Sequence, residues 1–220
     1  MKQLSSYVRA VGYLNKLFDL INERFFSGEL VRPTITIQST PRAYGHFTLN
    51  PETWSSITGD SYEINIGAGT LNRPIELTAT TLYHEMCHLY AAVHGIKDCS
   101  NNYIYHNKNF KWIAESHGGA KVDKEPNGKY GYTHTEPSDQ MIEFILDNNL
   151  TDILIGRNEG YSYVPGGPSG AHNGTPITPP KKKANSHKLI CPCCGCTVRA
   201  TKLGLHLLCM DCGQELFYES

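Results

Sequence analysis

The sequence predicts an α+β domain, a flexible linker and a small C-terminal cysteine module, and three observations carry that reading. Helix-period apolar patterns interleave with short, alternating, β-like runs over roughly the first 150 residues. The composition then turns Gly/Pro/Ser/Thr-rich between Arg157 and Lys188. Beyond it, six of the eight cysteines crowd between Cys191 and Cys212 at CxxC spacing. We therefore divide the chain into residues 1–156, 157–188 and 189–220.

Residues 4–26 suit a first helix, with Leu14, Leu17, Phe18, Ile21 and Phe25 on one face. Phe26-Ser27-Gly28 ends it. Three short strands follow: Thr34 to Ile37 alternates, Tyr44 to Leu49 is mixed, and Tyr62 to Ile66 alternates again. Pro41, Gly45, Pro51 and Gly59 punctuate them. We read His46 as hydrogen-bonding within this small mixed sheet rather than as a metal ligand.

Arg73 to Gly95 reads as one continuous helix, with Pro74 in its first turn and Gly95 as a left-handed stop. It carries His84-Glu85-Met86-Cys87-His88, an H-E-x-x-H motif. At about 100° per residue, His84 and His88 lie within roughly 40° of each other, so both imidazoles can reach one ion. Glu85 stands about a quarter-turn away, too far round to ligate but suited to acid–base work beside the ion. Leu82, Met86, Leu89 and Val93 form the opposite stripe, expected to face the core.

A polar loop from Ile96 to Tyr105 comes next, then a helix over Asn107 to His117 that buries Phe110, Ile113 and Ala114. Lys121 to Thr135 suggests a hairpin around Asn127-Gly128. Pro137 to Asn149 suggests a last helix burying Met141, Ile142, Phe144 and Ile145.

A catalytic zinc normally takes three protein ligands and keeps one position open. His94 stands six residues after His88, but Ala91 occupies the place of the glycine that would let the chain swing back. Glu115 lies on the following helix without a supporting motif. His106 directly precedes that helix, where a loop can deliver a ligand. All three remain open on residue spacing alone. Tyr83, Tyr103 and Tyr105 are the hydroxyls nearby in sequence.

Residues 10–145 resemble the SprT-like zinc metallopeptidases, whose animal relatives are the Spartan DNA–protein crosslink proteases. The resemblance rests on Leu17-Phe18 through Asn22-Glu23-Arg24-Phe25-Phe26 with Gly28-Glu29-Leu30, on Leu82 to His88, and on His106-Asn107-Lys108-Asn109-Phe110. Asn107 stands where relatives often have glycine. The resemblance implies a zincin-like domain with zinc on His84, His88 and His106, and Glu85 as the catalytic acid/base in peptide-bond hydrolysis. We read His117 as packing or capping.

In the tail, two CxxC-Gly knuckles stand about fifteen residues apart, the pattern of a zinc ribbon. Gly195 after Cys194 mirrors Gly213 after Cys212, which selects Cys191, Cys194, Cys209 and Cys212 for a structural zinc over Cys193 and Cys196. The ribbon is similar to one that many bacterial SprT-like proteins carry.

The net charge of −1 is uninformative as a whole, but residues 181–220 hold six Lys/Arg against three Asp/Glu. A basic tail on an acidic domain predicts contact with nucleic acid alongside a protein substrate. No apolar run approaches a membrane span, and Met1 to Ile21 has no continuous apolar signal core. Clustered thiols without such a signal predict a reducing cytoplasm. The rival reading is a non-catalytic nucleic-acid-binding protein whose histidines hold a structural metal; that scaffold has no use for Glu85.

Overall fold

The computed structural model describes residues 4–40, 43–158, 187–200, 202 and 204–218. It divides into two units, Met1–Pro176 and Ile177–Ser220, each described by itself. Of the expected linker, residues 159–186 lie outside the described residues, Lys181, Lys182 and Lys183 among them. Arg157 at its start donates its backbone N–H to Ala68 O at 2.8 Å, so the first unit is held together through that residue.

The first unit opens on α1 (Tyr7–Phe26), whose residues Leu14, Leu17, Phe18 and Ile21 are fully buried. Strands β1 (Thr34–Gln38) and β2 (Gly45–Thr48) follow. After them comes an exposed hairpin of β3 (Trp54–Ser56) and β4 (Gly59–Ser61), which the apolar pattern does not announce. Strand β5 (Glu63–Gly67) is central in the order β1-β5-β2, parallel to β1 and antiparallel to β2. The expected alternation fails at β5, where every residue is buried. Its polar positions are satisfied inside the sheet: Asn65 Oδ1 accepts from the Gln38 N–H at 2.7 Å, and Glu63 Oε1 from Thr36 Oγ1 at 2.6 Å.

Helix α2 (Ile75–Val93) packs against α1, β2 and β5. Pro74 is its cap rather than part of its first turn, because its ψ of 143° is extended; the first orphan amide, Ile75 N–H, goes to Asp152 Oδ1 at 2.7 Å. Leu82, Met86 and Leu89 are fully buried, as the stripe predicts, but Val93 is exposed in the last turn, beyond the core. Gly95 supplies the left-handed stop.

The stretch read as a polar loop holds a small hairpin, β6 (Cys99–Ser100) paired with β7 (Tyr105–His106). Its tip runs through three consecutive left-handed residues, Asn101, Asn102 and Tyr103. Helix α3 (Lys108–Ser116) starts from Asn107, whose side chain accepts the Asn109 N–H at 2.7 Å. The same Asn107 donates from its amide to Lys97 O at 2.8 Å and from its backbone to Asp98 O at 2.9 Å. That staple is what the asparagine contributes at this position. Strands β8 (Ala120–Val122) and β9 (Thr135–Pro137) pair antiparallel and bracket a turn closed between Asn127 and Gly131. Helix α4 (Asp139–Asp147) buries Met141, Phe144 and Ile145, whereas Ile142 points outward and is exposed. Edge-on ring contacts of Phe25 with Tyr83 and with Phe144, both at 5.5 Å, tie α1, α2 and α4 into one core.

The second unit joins β10 (His187–Ile190), β11 (Thr197–Ala200), β12 (Leu208–Cys209), β13 (Gln214–Glu215) and β14 (Phe217–Tyr218). The three-stranded sheet β11-β10-β14 turns Leu189 and Ala200 into a small buried core. Register puts Lys188 opposite Arg199, and Ile190 opposite both Thr197 and Phe217, on the other face. Among the described residues, no helix is long and apolar enough to cross a membrane.

Candidate metal centre

The i, i+4 spacing on α2 sets the His84 and His88 rings side by side, and β7 brings His106 to them from the far side. The three Nε2 atoms form a nearly equilateral triangle: 3.3 Å between His84 and His88, 3.2 Å between His84 and His106, 3.1 Å between His88 and His106. Tetrahedral zinc with nitrogen ligands at about 2.0–2.1 Å separates them by roughly 3.3–3.4 Å, so the donor set fits such an ion. Fully buried Phe110 forms the floor, with its ring centroid 4.6, 4.8 and 4.7 Å from those of His84, His88 and His106. The H-x-x-x-F spacing thus delivers both His106 and the apolar support behind the whole triad.

Burial pushes His84 well below the usual imidazole range, helped by its two histidine neighbours. Burial, and then His88, push His106 down to about 3. At His88 burial also opposes charge, but the Asp98 carboxylate at Nδ1 and the nearby Cys99 thiol outweigh it and push the ring up to about 10. Behind the other rings the support is weaker. His84 Nδ1 lies 3.3 Å from Thr135 Oγ1, and His106 Nδ1 is buried near the Tyr130 and Ile104 carbonyls in hydrogen-bonding geometry with neither.

Glu85 follows His84 into the same pocket and is buried. Burial pushes its carboxyl up to about 7, while His88 and the Phe47 backbone N–H hold it from rising further. The β2 edge makes room for it at Gly45, where a Cβ would lie 3.0 Å from Glu85 Oε1 and 2.9 Å from the Asn65 carbonyl oxygen. A glycine is needed there for close approach.

The rival ligands lie elsewhere. His94 stacks on Tyr90 and bonds its carbonyl at 2.9 Å, and Glu115 faces Lys111. His46, read as hydrogen-bonding within the sheet, is exposed on β2 and makes no side-chain hydrogen bond among the described residues. His117 caps α3 and packs on Phe26 and Tyr90. The Tyr83 hydroxyl is buried and donates to the Ala114 carbonyl at 2.8 Å, so it is committed to the core. Sequence reasoning missed Asp98, Thr135 and Gly45. Only Gly45 left a signal, as a glycine interrupting a strand pattern.

In the second unit the four thiols of Cys191, Cys194, Cys209 and Cys212 lie within 4.8 Å of one another, with Cys194 and Cys209 Sγ 3.7 Å apart. Tetrahedral zinc with thiolates at about 2.3 Å spaces them by roughly 3.8 Å, which this cluster also fits. Each knuckle folds back through a glycine N–H, Gly195 to Cys191 O at 3.0 Å and Gly213 to Cys209 O at 2.8 Å. The Cys194 backbone N–H, the largest influence, helps draw the Cys191 thiol down to about 7. Cys193 and Cys196 are exposed and outside the cluster.

Compared with known protein families, residues 14–133 match the model of the SprT-like family, a span from α1 to just before β9 that includes all three histidines and Glu85. No curated protein and no solved structure matches the chain.

Proposed function

Because the chain belongs to the SprT-like family, we propose that it is a zinc-dependent endopeptidase of zincin-like architecture, with His84, His88 and His106 as ligands and Glu85 as acid–base. The observation that carries this reading is the Nε2 triangle with a buried carboxylate beside it. A zinc ion bound there would supply Lewis acidity toward water and the scissile carbonyl. Glu85, buried beside the triad, is placed to take a proton from the attacking water and return it to the leaving amine. Strand β2 is the sheet edge beside Glu85, and an extended peptide pairing with it would be held by its backbone, with little demand on sequence.

The test is Glu85→Gln, which keeps the shape of the carboxylate and removes its basicity. Digestion of casein or histone, with and without DNA, should vanish while zinc remains bound. Cleavage at the wild-type rate would refute the mechanism.

We further read the second unit as a ribbon built on one structural zinc that tethers the enzyme to nucleic acid in the cytoplasm. One face of its sheet supports this: Lys188 and Arg199 sit as a cross-strand pair, and half-exposed Phe217 lies two pairs further on, on the same face. Cations for phosphates beside a ring for a base are what single-stranded nucleic acid uses. In the full chain, Arg199→Glu with Phe217→Ala should abolish salt-sensitive binding of single-stranded DNA while sparing cleavage of a free peptide. Unchanged binding would make the ribbon a structural or protein-binding knob.

A further inference from the structure

Behind His88 lies a carboxylate that neither the H-E-x-x-H nor the H-x-x-x-F pattern assigns. Asp98 is 8% exposed, its Oδ2 hydrogen-bonds to His88 Nδ1, and among the described residues it has no other ion-pairing partner. Its backbone is fixed too, since the carbonyl takes the Asn107 N–H at 2.9 Å. The next residue, Cys99, pairs with His106 across the β6–β7 hairpin. One hairpin therefore carries both a member of the triad and the group that braces another member.

A neutral imidazole has a single N–H, and Nε2 can offer a lone pair inward only when that proton sits on Nδ1. Of the three rings only His88 has a carboxylate to hold the proton there; His84 has a hydroxyl at 3.3 Å and His106 has no bonded partner. Charge points the same way. Glu85 and Asp98 are both buried, and among the described residues neither forms an ion pair with lysine or arginine. Two buried carboxylates beside three imidazoles whose Nε2 atoms converge on one point match a divalent cation.

We propose that Asp98 is a positioning residue for the triad: its carboxylate fixes the tautomer and orientation of His88 and so sets the affinity of the histidine site for its cation. This rests on the divalent-cation reading of the triad and not on proteolysis. A purely structural Asp98, acting as a brace for the hairpin, would move the melting temperature but not the histidine tautomer or the relative affinities of the two metal sites.

The experiment uses the full chain and cobalt(II), because thiolate charge-transfer bands distinguish the cysteine site from the histidine site in the visible spectrum. Asp98→Asn keeps the shape and an accepting oxygen but loses the charge; Asp98→Ala loses both. Cobalt affinity at the histidine site should fall about tenfold in the asparagine variant and up to about a hundredfold in the alanine variant, with the cysteine site unchanged. In the zinc-loaded protein, the His88 Nδ1–H resonance seen in the wild type should disappear in Asp98→Ala. Histidine-site affinity within twofold of wild type in both variants overturns the proposal, as does an equal loss at both sites. If the alanine variant does not fold, the isosteric asparagine variant decides. A wild-type protein that takes no cobalt at the histidines would defeat the cation reading itself, and this proposal with it.

Discussion

Gly131 is where the support of the third histidine can be broken without touching the histidine. It sits beside β7 with φ +67°, and a Cβ built there would lie 2.0 Å from the His106 carbonyl oxygen and 2.9 Å from Tyr105 Cε1. About 1 Å of backbone movement is needed before such a contact is tolerable. The left-handed conformation costs alanine about 1 kcal/mol, and loss of the bond from Tyr132 N–H to His106 O costs about 1 kcal/mol more. With residual strain, Gly131→Ala should destabilise the hairpin arrangement by about 2–3 kcal/mol. The movement falls directly on His106, and a metal site tolerates only about 0.2 Å in its ligand distances. If the native geometry must be restored for binding, cation affinity at the histidines drops by roughly 30- to 150-fold. The control is Gly128→Ala in the same turn. Nothing lies within 4 Å of its added Cβ, so stability should change by less than about 0.5 kcal/mol. The assays are a cobalt or zinc competition titration and a thermal melt of the full chain. A Gly131→Ala protein with wild-type affinity and an unchanged melt would refute the argument that this close approach holds His106 in place.

Two further outcomes follow from the two clusters. His106→Ala should empty the histidine site and abolish proteolysis, whereas His94→Ala and Glu115→Ala should keep the metal; zinc analysis of the three variants checks this, and retention in His106→Ala with loss in either rival would reverse the ligand assignment. The intact, reduced protein should hold two zinc ions and Cys209→Ser only one, with cleavage of a small free peptide unchanged; a single zinc in the intact protein would remove the ribbon from the account.

Much of this arrangement is legible in the chain because it depends on short-range spacing. The apolar period of α1, the i, i+4 histidines, the His106-to-Phe110 step and the CxxC knuckles are all set within a few residues, and local backbone geometry carries them into the structure. What escapes is set by distant neighbours. Asp98 looks like any loop carboxylate until the hairpin lays it behind His88, and Thr135 reaches His84 across 51 residues. The burial of Glu63 and Asn65 is hidden because an alternating strand pattern assumes one wet face, and here hydrogen bonds from β1 let both faces be covered. Val93 and Ile142 depart in the opposite sense: each fits its helix's apolar spacing but lies beyond the reach of the core.

The β6–β7 hairpin is closed by only two residue pairs around a left-handed tip, yet it holds His106 and the brace of His88 together. When that hairpin opens, two of the three histidines lose their footing in one event. On the zinc reading, metal departure is then a unimolecular step whose rate belongs to the polypeptide. Raising the concentration of a chelator would speed stripping only to a ceiling, and the residence time of the ion would be a measure of how often this one hairpin breathes.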